Sequence, residues 1–273
     1  MKNNRREFLA KAAAIAAASM PLVSNASNTL VSSPLALPSL KGRKVLFTYG
    51  GWDGHEPQKF FDYMSPWLKE EGADVVASPN LEPYADKALM DTIDLVIQIY
   101  TMSKITKEQE KGLIEAVKTN GTGMAGWHGG MGDSFRENVE YQYMVGGQWV
   151  AHPGNTLDYD VKIIDKNDAI TKGLKDFHMK SEQYYMHIDP NVKVLATTKF
   201  TGAVNSWIDG AVLPVTWKKT FGKGRIFYTS VGHSVAHATE VPEAIEMIKR
   251  GIKWASASKY ESAEKWMSPV YKY

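Results

Sequence analysis

Between residues 44 and 130, short apolar runs alternate with amphipathic stretches of helical length, and this alternation restricts the fold more than any other feature. Lys44–Tyr49 is an apolar run closed by Gly50 and Gly51, which reads as a buried strand. From Pro57 to Glu71, Phe60, Phe61, Met64, Trp67 and Leu68 recur at helical spacing, and Gly72 supplies the stop. Asp74–Ala77 and Leu95–Tyr100 read as the next two strands. A helix follows from Thr106 to Val117, with Gln109 placed for a capping box. Thr122–Trp127 is a strand of small residues running into Gly129 and Gly130. Strands separated by helices predict an α/β domain: a mostly parallel sheet, helices on both faces, flavodoxin-like in outline. The second half is richer in strand patterns, at Tyr159–Ile164, Val192–Thr197, Leu213–Trp217 and Arg225–Thr229. These are read as strands added to the same sheet, and a helix from Pro242 to Trp254 closes the domain.

The domain occupies residues 43–257. Ahead of it, Arg5 and Arg6 precede Phe8 and Leu9, and an alanine-rich apolar run ends at Ser24-Asn25-Ala26. That pattern predicts a twin-arginine-type signal peptide over residues 1–26 and export to the periplasm. An uncleaved membrane anchor is the alternative, disfavoured by the weak hydrophobicity of alanine. Residues 27–42, rich in Ser, Pro and Leu, are expected to be a linker, and residues 258–273 a C-terminal arm on the surface.

Composition removes whole classes of function. Across 273 residues the net charge is +2, which gives no basic footprint for a phosphate backbone, so nucleic acid is not an expected partner. The chain contains no cysteine. Disulfides, thiolate nucleophiles and zinc–thiolate sites are therefore excluded. The 8 Trp and 13 Tyr exceed what a plain α/β core needs, and some are expected to line a pocket.

Ligands of open α/β sheets bind beyond the carboxyl ends of the strands. Three of the seven histidines fall there: His55 after the first strand, His128 after the Met124 strand, and His233 after the Arg225 strand. Gly126-Trp127-His128-Gly129-Gly130 has the form of a nucleophile elbow with histidine at its centre, so it would present an imidazole as base or metal ligand. His152 follows Gly146–Ala151, and Glu182 stands near Tyr184, Tyr185 and His187. His178 and His237 lack such context and are read as solvated.

At these residues the chain resembles the trehalose-utilisation (ThuA-like) family. The matching segments are Gly51–His55, Gly126–Gly130, Gly146-Gly147 through His152-Pro153, Glu182–Tyr185, Pro214–Trp217, and Phe221–Arg225 leading to Gly232-His233. Ser181 departs from the pattern, standing where relatives often carry an acid. The resemblance implies a class I glutamine-amidotransferase-like fold. Amidotransferases of that fold place cysteine at the elbow, so thioester chemistry is excluded here. The family name implies disaccharide metabolism, often beside oxidoreductases that make keto-sugars.

The expected function is that of a carbohydrate-processing enzyme carrying out metal-assisted isomerisation or cleavage of an oxidised (keto) sugar or glycoside. A divalent ion (Zn, Mn or Fe) would be held by some of His55, His128, His152 and His233. His128, Glu182 and His233 are the catalytic candidates. Trp52, Asp53, Trp127, Trp149 and Tyr184 are the substrate-binding candidates, the rings stacking on sugar faces. No nucleotide cofactor and no stable membrane partner are expected, and a homo-oligomer is admitted. Two alternatives stand beside this reading: metal-independent hydrolysis using Ser230 or Ser234 near His233, and a periplasmic sugar-binding protein without turnover.

Overall fold

Strand β1 (Lys44–Gly51) lies at the centre of the parallel half of the molecule, and its Val45, Leu46 and Phe47 are fully buried. The computed structural model describes residues 36–261, so the expected signal peptide lies outside the described residues. Helix α1 (Pro57–Glu70) turns Phe60, Met64 and Leu68 onto the sheet at i, i+4 spacing. It ends at Gly72, whose φ of +86° suits glycine. Next come β2 (Asp74–Ser78), the short α2 (Lys87–Thr92) and β3 (Leu95–Thr101). Helix α3 (Lys107–Lys118) begins with the anticipated capping box: the Gln109 N–H donates to Thr106 Oγ1 (3.2 Å) and the Thr106 N–H to Gln109 Oε1 (3.0 Å). Such a cap stabilises the helix start by about 1 kcal/mol.

Strand β4 (Gly123–Trp127) leads through His128 into the single turn α4 (Gly129–Gly132), then α5 (Val139–Val145) and β5 (Gly147–Ala151). The second half supplies β6 (Thr156–Ile163), β7 (Phe177–Glu182), β8 (Tyr185–Ile188), β9 (Lys193–Lys199), β10 (Val212–Phe221) and β11 (Gly224–Thr229). Helices α6 (Val235–Thr239) and α7 (Pro242–Ser256) follow.

The sheet order is β2-β1-β3-β4-β11-β10-β9-β6-β7. The first five strands are parallel to one another, in the order of a flavodoxin-like sheet. Beyond β11 each neighbour is antiparallel, which makes the added strands an extension of the same sheet. Side chains that alternate along each strand fill two cores. Phe47, Ile97 and Phe227 pack with α1 and α7, while Leu46, Val96 and Ile226 pack with α3 and α5. Strands β5 and β8 form a separate two-stranded ribbon.

The described part of the expected linker is docked, with Leu40 fully buried. Of the C-terminal arm, residues 258–261 are also held: Ser258 Oγ accepts the Arg225 N–H at 2.9 Å. Among the described residues no helix is long and apolar enough to cross a membrane.

Candidate metal centre

The turn after β4 brings the elbow histidine out of the sheet. His128 sits at φ 47°, ψ −143°, a conformation that costs a residue with a Cβ on the order of 1–3 kcal/mol. Surrounding hydrogen bonds hold it there. Its N–H donates to Thr229 O (2.7 Å), and its carbonyl accepts from Gly132 N (2.9 Å) and the Tyr228 hydroxyl (3.0 Å). The expected elbow is therefore present, with an imidazole at its apex.

Three other chain segments meet that imidazole. His55 arrives on the turn of 3-10 helix that follows β1, its Nδ1 2.8 Å from Thr101 Oγ1 at the end of β3. His233 comes from the loop after β11, and Glu182 from the last position of β7. Glu182 Oε2 lies 3.0 Å from His128 Nε2, 3.3 Å from His233 Nδ1 and 3.9 Å from His55 Nε2. One potential ligand atom from each of these four residues lies within 4.8 Å of all the others. The imidazole planes stand 77° to 85° apart, so the rings meet edge to face around the carboxylate and do not stack.

Charge at this cluster is one-sided. Burial pushes the His55 imidazole down to about 2, helped by His128 and His233 beside it. Burial also lowers His128, against the pull of Glu182. The Glu182 carboxyl is raised by burial, but His128 and His233 together outweigh that and hold it well below the usual carboxylate range. These shifts favour neutral His55 and His128 beside an ionised Glu182.

Hydrogen bonding sharpens the consequence. The His128 Nδ1–H donates to Ser230 O at 2.7 Å, and a carbonyl can only accept. A neutral His128 therefore turns the lone pair of Nε2 toward Glu182 Oε2, which also carries only lone pairs. At 3.0 Å the two atoms are joined by a proton on Nε2 or by a cation between them. Three imidazoles and one carboxylate are a donor set for a divalent first-row metal such as zinc, manganese or iron. Thr101 and Ser230 hold the far nitrogens of His55 and His128, as outer partners of metal-bound histidines do.

The protonation pattern fixes a pH dependence for metal-free protein. The folded-state values of His55 and His128 lie below the ordinary 6.5, so the unfolded chain binds more protons below that pH. Stability is complete above about 6.5 and falls as pH drops toward the folded values; Glu182, also depressed, adds a loss below its ordinary 4.5. Exposed His178, raised between Asp160 and Asp158, works weakly in the opposite sense. Chelator-treated protein is expected to melt at a lower temperature at pH 5 than at pH 7.5, with a smaller difference in His55→Gln. Equal differences in the two proteins would refute the assignment.

The remaining candidates fall unevenly. His152, expected among the ligands, lies outside the four-residue group: its Nε2 is 3.9 Å from the other Glu182 oxygen, and its buried Nδ1 has no hydrogen-bond partner among the described residues. Trp52 is half exposed and edge-on to His55 at 4.8 Å. Asp53 lies exposed on the same turn. Tyr184 is buried, its ring 4.0 Å from His128. Trp149 is half-buried, with the Arg136 guanidinium over its face at 4.5 Å.

Trp127 corrects the expectation of a sugar platform. It is 1% exposed and packs against Phe47 and Phe60 in the core, where no sugar face can reach it. His187 is exposed on β8 and joins no cluster. His237, expected to be solvated, is half-buried, and its Nδ1 lies 3.0 Å from Ser181 Oγ. Of the serines proposed for hydrolysis, Ser230 accepts the His128 Nδ1–H at its backbone carbonyl, and Ser234 Oγ caps α6 by accepting the His237 N–H. Thr101, Asp133 and Arg136 were not anticipated. Asp133 is buried beside Glu182 and His152, with its carboxylate forked by Arg136, one contact being 2.8 Å.

Comparison with known proteins decides the family. The family model described as ThuA, trehalose utilisation, matches residues 44–255. The chain belongs to the ThuA family. A putative ThuA-like protein from Bacteroides uniformis superposes with a TM-score of 0.67 at 16% identity, over 82% of this chain and 95% of that one. A second, from Parabacteroides merdae, gives 0.66 at 20% identity, over 80% of this chain and 91% of that one. At these identities the likeness establishes that ThuA-like proteins share this fold. No curated protein matches the chain significantly.

Proposed function

We propose that this ThuA-family protein is a carbohydrate-processing enzyme whose site holds a divalent metal ion on His55, His128, His233 and Glu182. The observation that carries the reading is the convergence of His55, His128, His233 and Glu182, one potential ligand atom of each lying within 4.8 Å of all the others. The family's description, trehalose utilisation, directs the choice of substrate toward sugars. A bound ion supplies Lewis acidity, which favours substrates that build negative charge on an oxygen, such as a keto-sugar or keto-glycoside.

The chain's own groups provide the rest. A base removes the proton from the carbon next to the carbonyl, and the electron pair moves onto the carbonyl oxygen. Returning a proton to the former carbonyl carbon, while the hydroxyl on the deprotonated carbon passes its proton to the old carbonyl oxygen and becomes the new carbonyl, isomerises the sugar. Expelling the glycosidic oxygen, with a proton delivered to it, cleaves the bond by β-elimination. His152 is placed for proton transfer, since it borders Glu182 from outside the ligand group and about a third of its side chain is exposed. Trp52 and Tyr184 flank the His55 and His128 rings and would orient the sugar.

Protein purified without chelator is expected to contain one equivalent of divalent metal per chain and to turn over a keto-glycoside. Stripping the metal should abolish turnover, and restoring it should recover the rate. Full turnover by metal-free protein would end this reading.

A further inference from the structure

Beside the metal centre runs a second cavity of about 740 Å³, lying over the antiparallel extension of the sheet. It is lined by residues of β6 and by Gln183, the chain neighbour of Glu182. In β7, His178, Lys180 and Glu182 alternate onto one face, and their partners on β6 are Asp160, Asp158 and Thr156. At the near end, the lining residues Pro153 and Gln183 are the immediate chain neighbours of His152 and Glu182. The Tyr159 hydroxyl, on the same cavity wall, donates to Glu182 O at 3.3 Å. The near end of the trough is thus built by the chain neighbours of His152 and Glu182.

The lining has the chemistry of a sugar site. Gln183 is 4% exposed, and its Nε2 donates to Thr198 Oγ1 (2.7 Å) and Lys199 O (3.2 Å). The Lys199 carbonyl can only accept, so the amide orientation is fixed. Gln183 Oε1 is then a rigid acceptor that takes no hydrogen bond from a described residue. Asp158 and Asp160, which line the trough, each hold His178 through one carboxylate oxygen. Across from them, Ile208 and Val204 supply an apolar wall for the C–H faces of a ring.

We propose that this trough binds the second sugar unit of a disaccharide or glycoside whose reacting unit sits at the metal centre, with Gln183 Oε1 accepting from one of its hydroxyls. The proposal rests on the functional reading above. Its volume lies within the range of small-molecule pockets, and its occupant is a second ring continuous with the first.

The test is calorimetric titration of metal-loaded protein with methyl α-glucoside and with trehalose. Wild-type protein is expected to bind trehalose at least tenfold more tightly. Gln183→Met removes the acceptor, and Val204→Arg lays a long side chain across the opening. Each should reduce the preference to threefold or less while metal content and methyl glucoside affinity stay unchanged. Equal affinity for the two sugars in wild type, or a preference undiminished in both variants, overturns the subsite alone. Failure of wild type to bind either sugar also overturns the subsite, while the functional reading stands or falls on turnover of a keto-glycoside.

Discussion

Glu182→Gln is expected to abolish metal binding and yet raise the melting temperature of the metal-free protein. With His128 neutral, its Nδ1–H committed to Ser230 O, the Glu182 carboxylate and His128 Nε2 of metal-free wild type face each other at 3.0 Å, both as acceptors. An amide at the same place can turn its NH2 toward His128 Nε2 and convert that repulsion into a hydrogen bond of about 1 kcal/mol. For a chain of this size that corresponds to a rise of about 2–4 °C. The metal loses its anionic ligand in the same variant, so the stabilisation that added metal gives wild type should vanish. Turnover should fall by about 1000-fold or more, equivalent to roughly 4 kcal/mol of transition-state stabilisation. The opposite sign in the metal-free melt decides between two pictures. If His128 and Glu182 were a simple imidazolium–carboxylate pair, neutralising the acid would strand a buried charge and lower the melting temperature. A fall of several degrees in metal-free Glu182→Gln would therefore defeat the neutral-ligand assignment.

Much of the fold and half of the site are legible in the sequence, for reasons that differ by element. Strands β1, β3, β4 and β11 are buried on both faces, so they read as continuous apolar runs, and the residue that follows each is marked by the end of the run. That is why His55, His128 and His233 could be placed at one sheet edge. The elbow was legible because glycine brackets His128 and a residue there must adopt an unusual backbone. Glu182 was only a candidate, since β7 was not recognised: one face is buried and the other solvated, and Phe177, Met179 and Ser181 give only a weak alternation.

Ring placement was harder. Trp127 and Trp149 occupy similar apolar contexts in the sequence, but the former points into the core and the latter lies beneath Arg136. The side to which a strand residue faces depends on what packs there, and composition does not show it. Thr101 could have been found, since it is the polar residue closing the apolar run of β3 at the site edge. Asp133 and Arg136 follow the elbow in a turn without periodicity, and their proximity to Glu182 exists only in three dimensions.

Gly129→Ala should disarm the site without unfolding the protein. Gly129 opens the turn after the elbow with an ordinary backbone, so alanine is not strained by its own dihedrals. The obstacle is space. A Cβ at this position would lie 2.2 Å from His55 Cε1, 2.5 Å from its Nδ1 and 3.0 Å from the Tyr184 hydroxyl. His55 must then move, and its Nδ1 contact with Thr101 at 2.8 Å must break. Overpacking of this kind costs about 1–3 kcal/mol, which lowers the melting temperature but leaves a folded chain. The proposed metal site would suffer more, because one of its candidate ligands is withdrawn and the outer partner of that ligand is lost with it. Metal affinity is expected to fall by about 100-fold or more, since loss of an outer partner alone typically weakens binding 10–100-fold. His55→Ala should match Gly129→Ala in affinity, and combining the two should add little, because both remove the same ligand. Wild-type metal affinity in Gly129→Ala would show that the imidazole of His55 is not among the ligands.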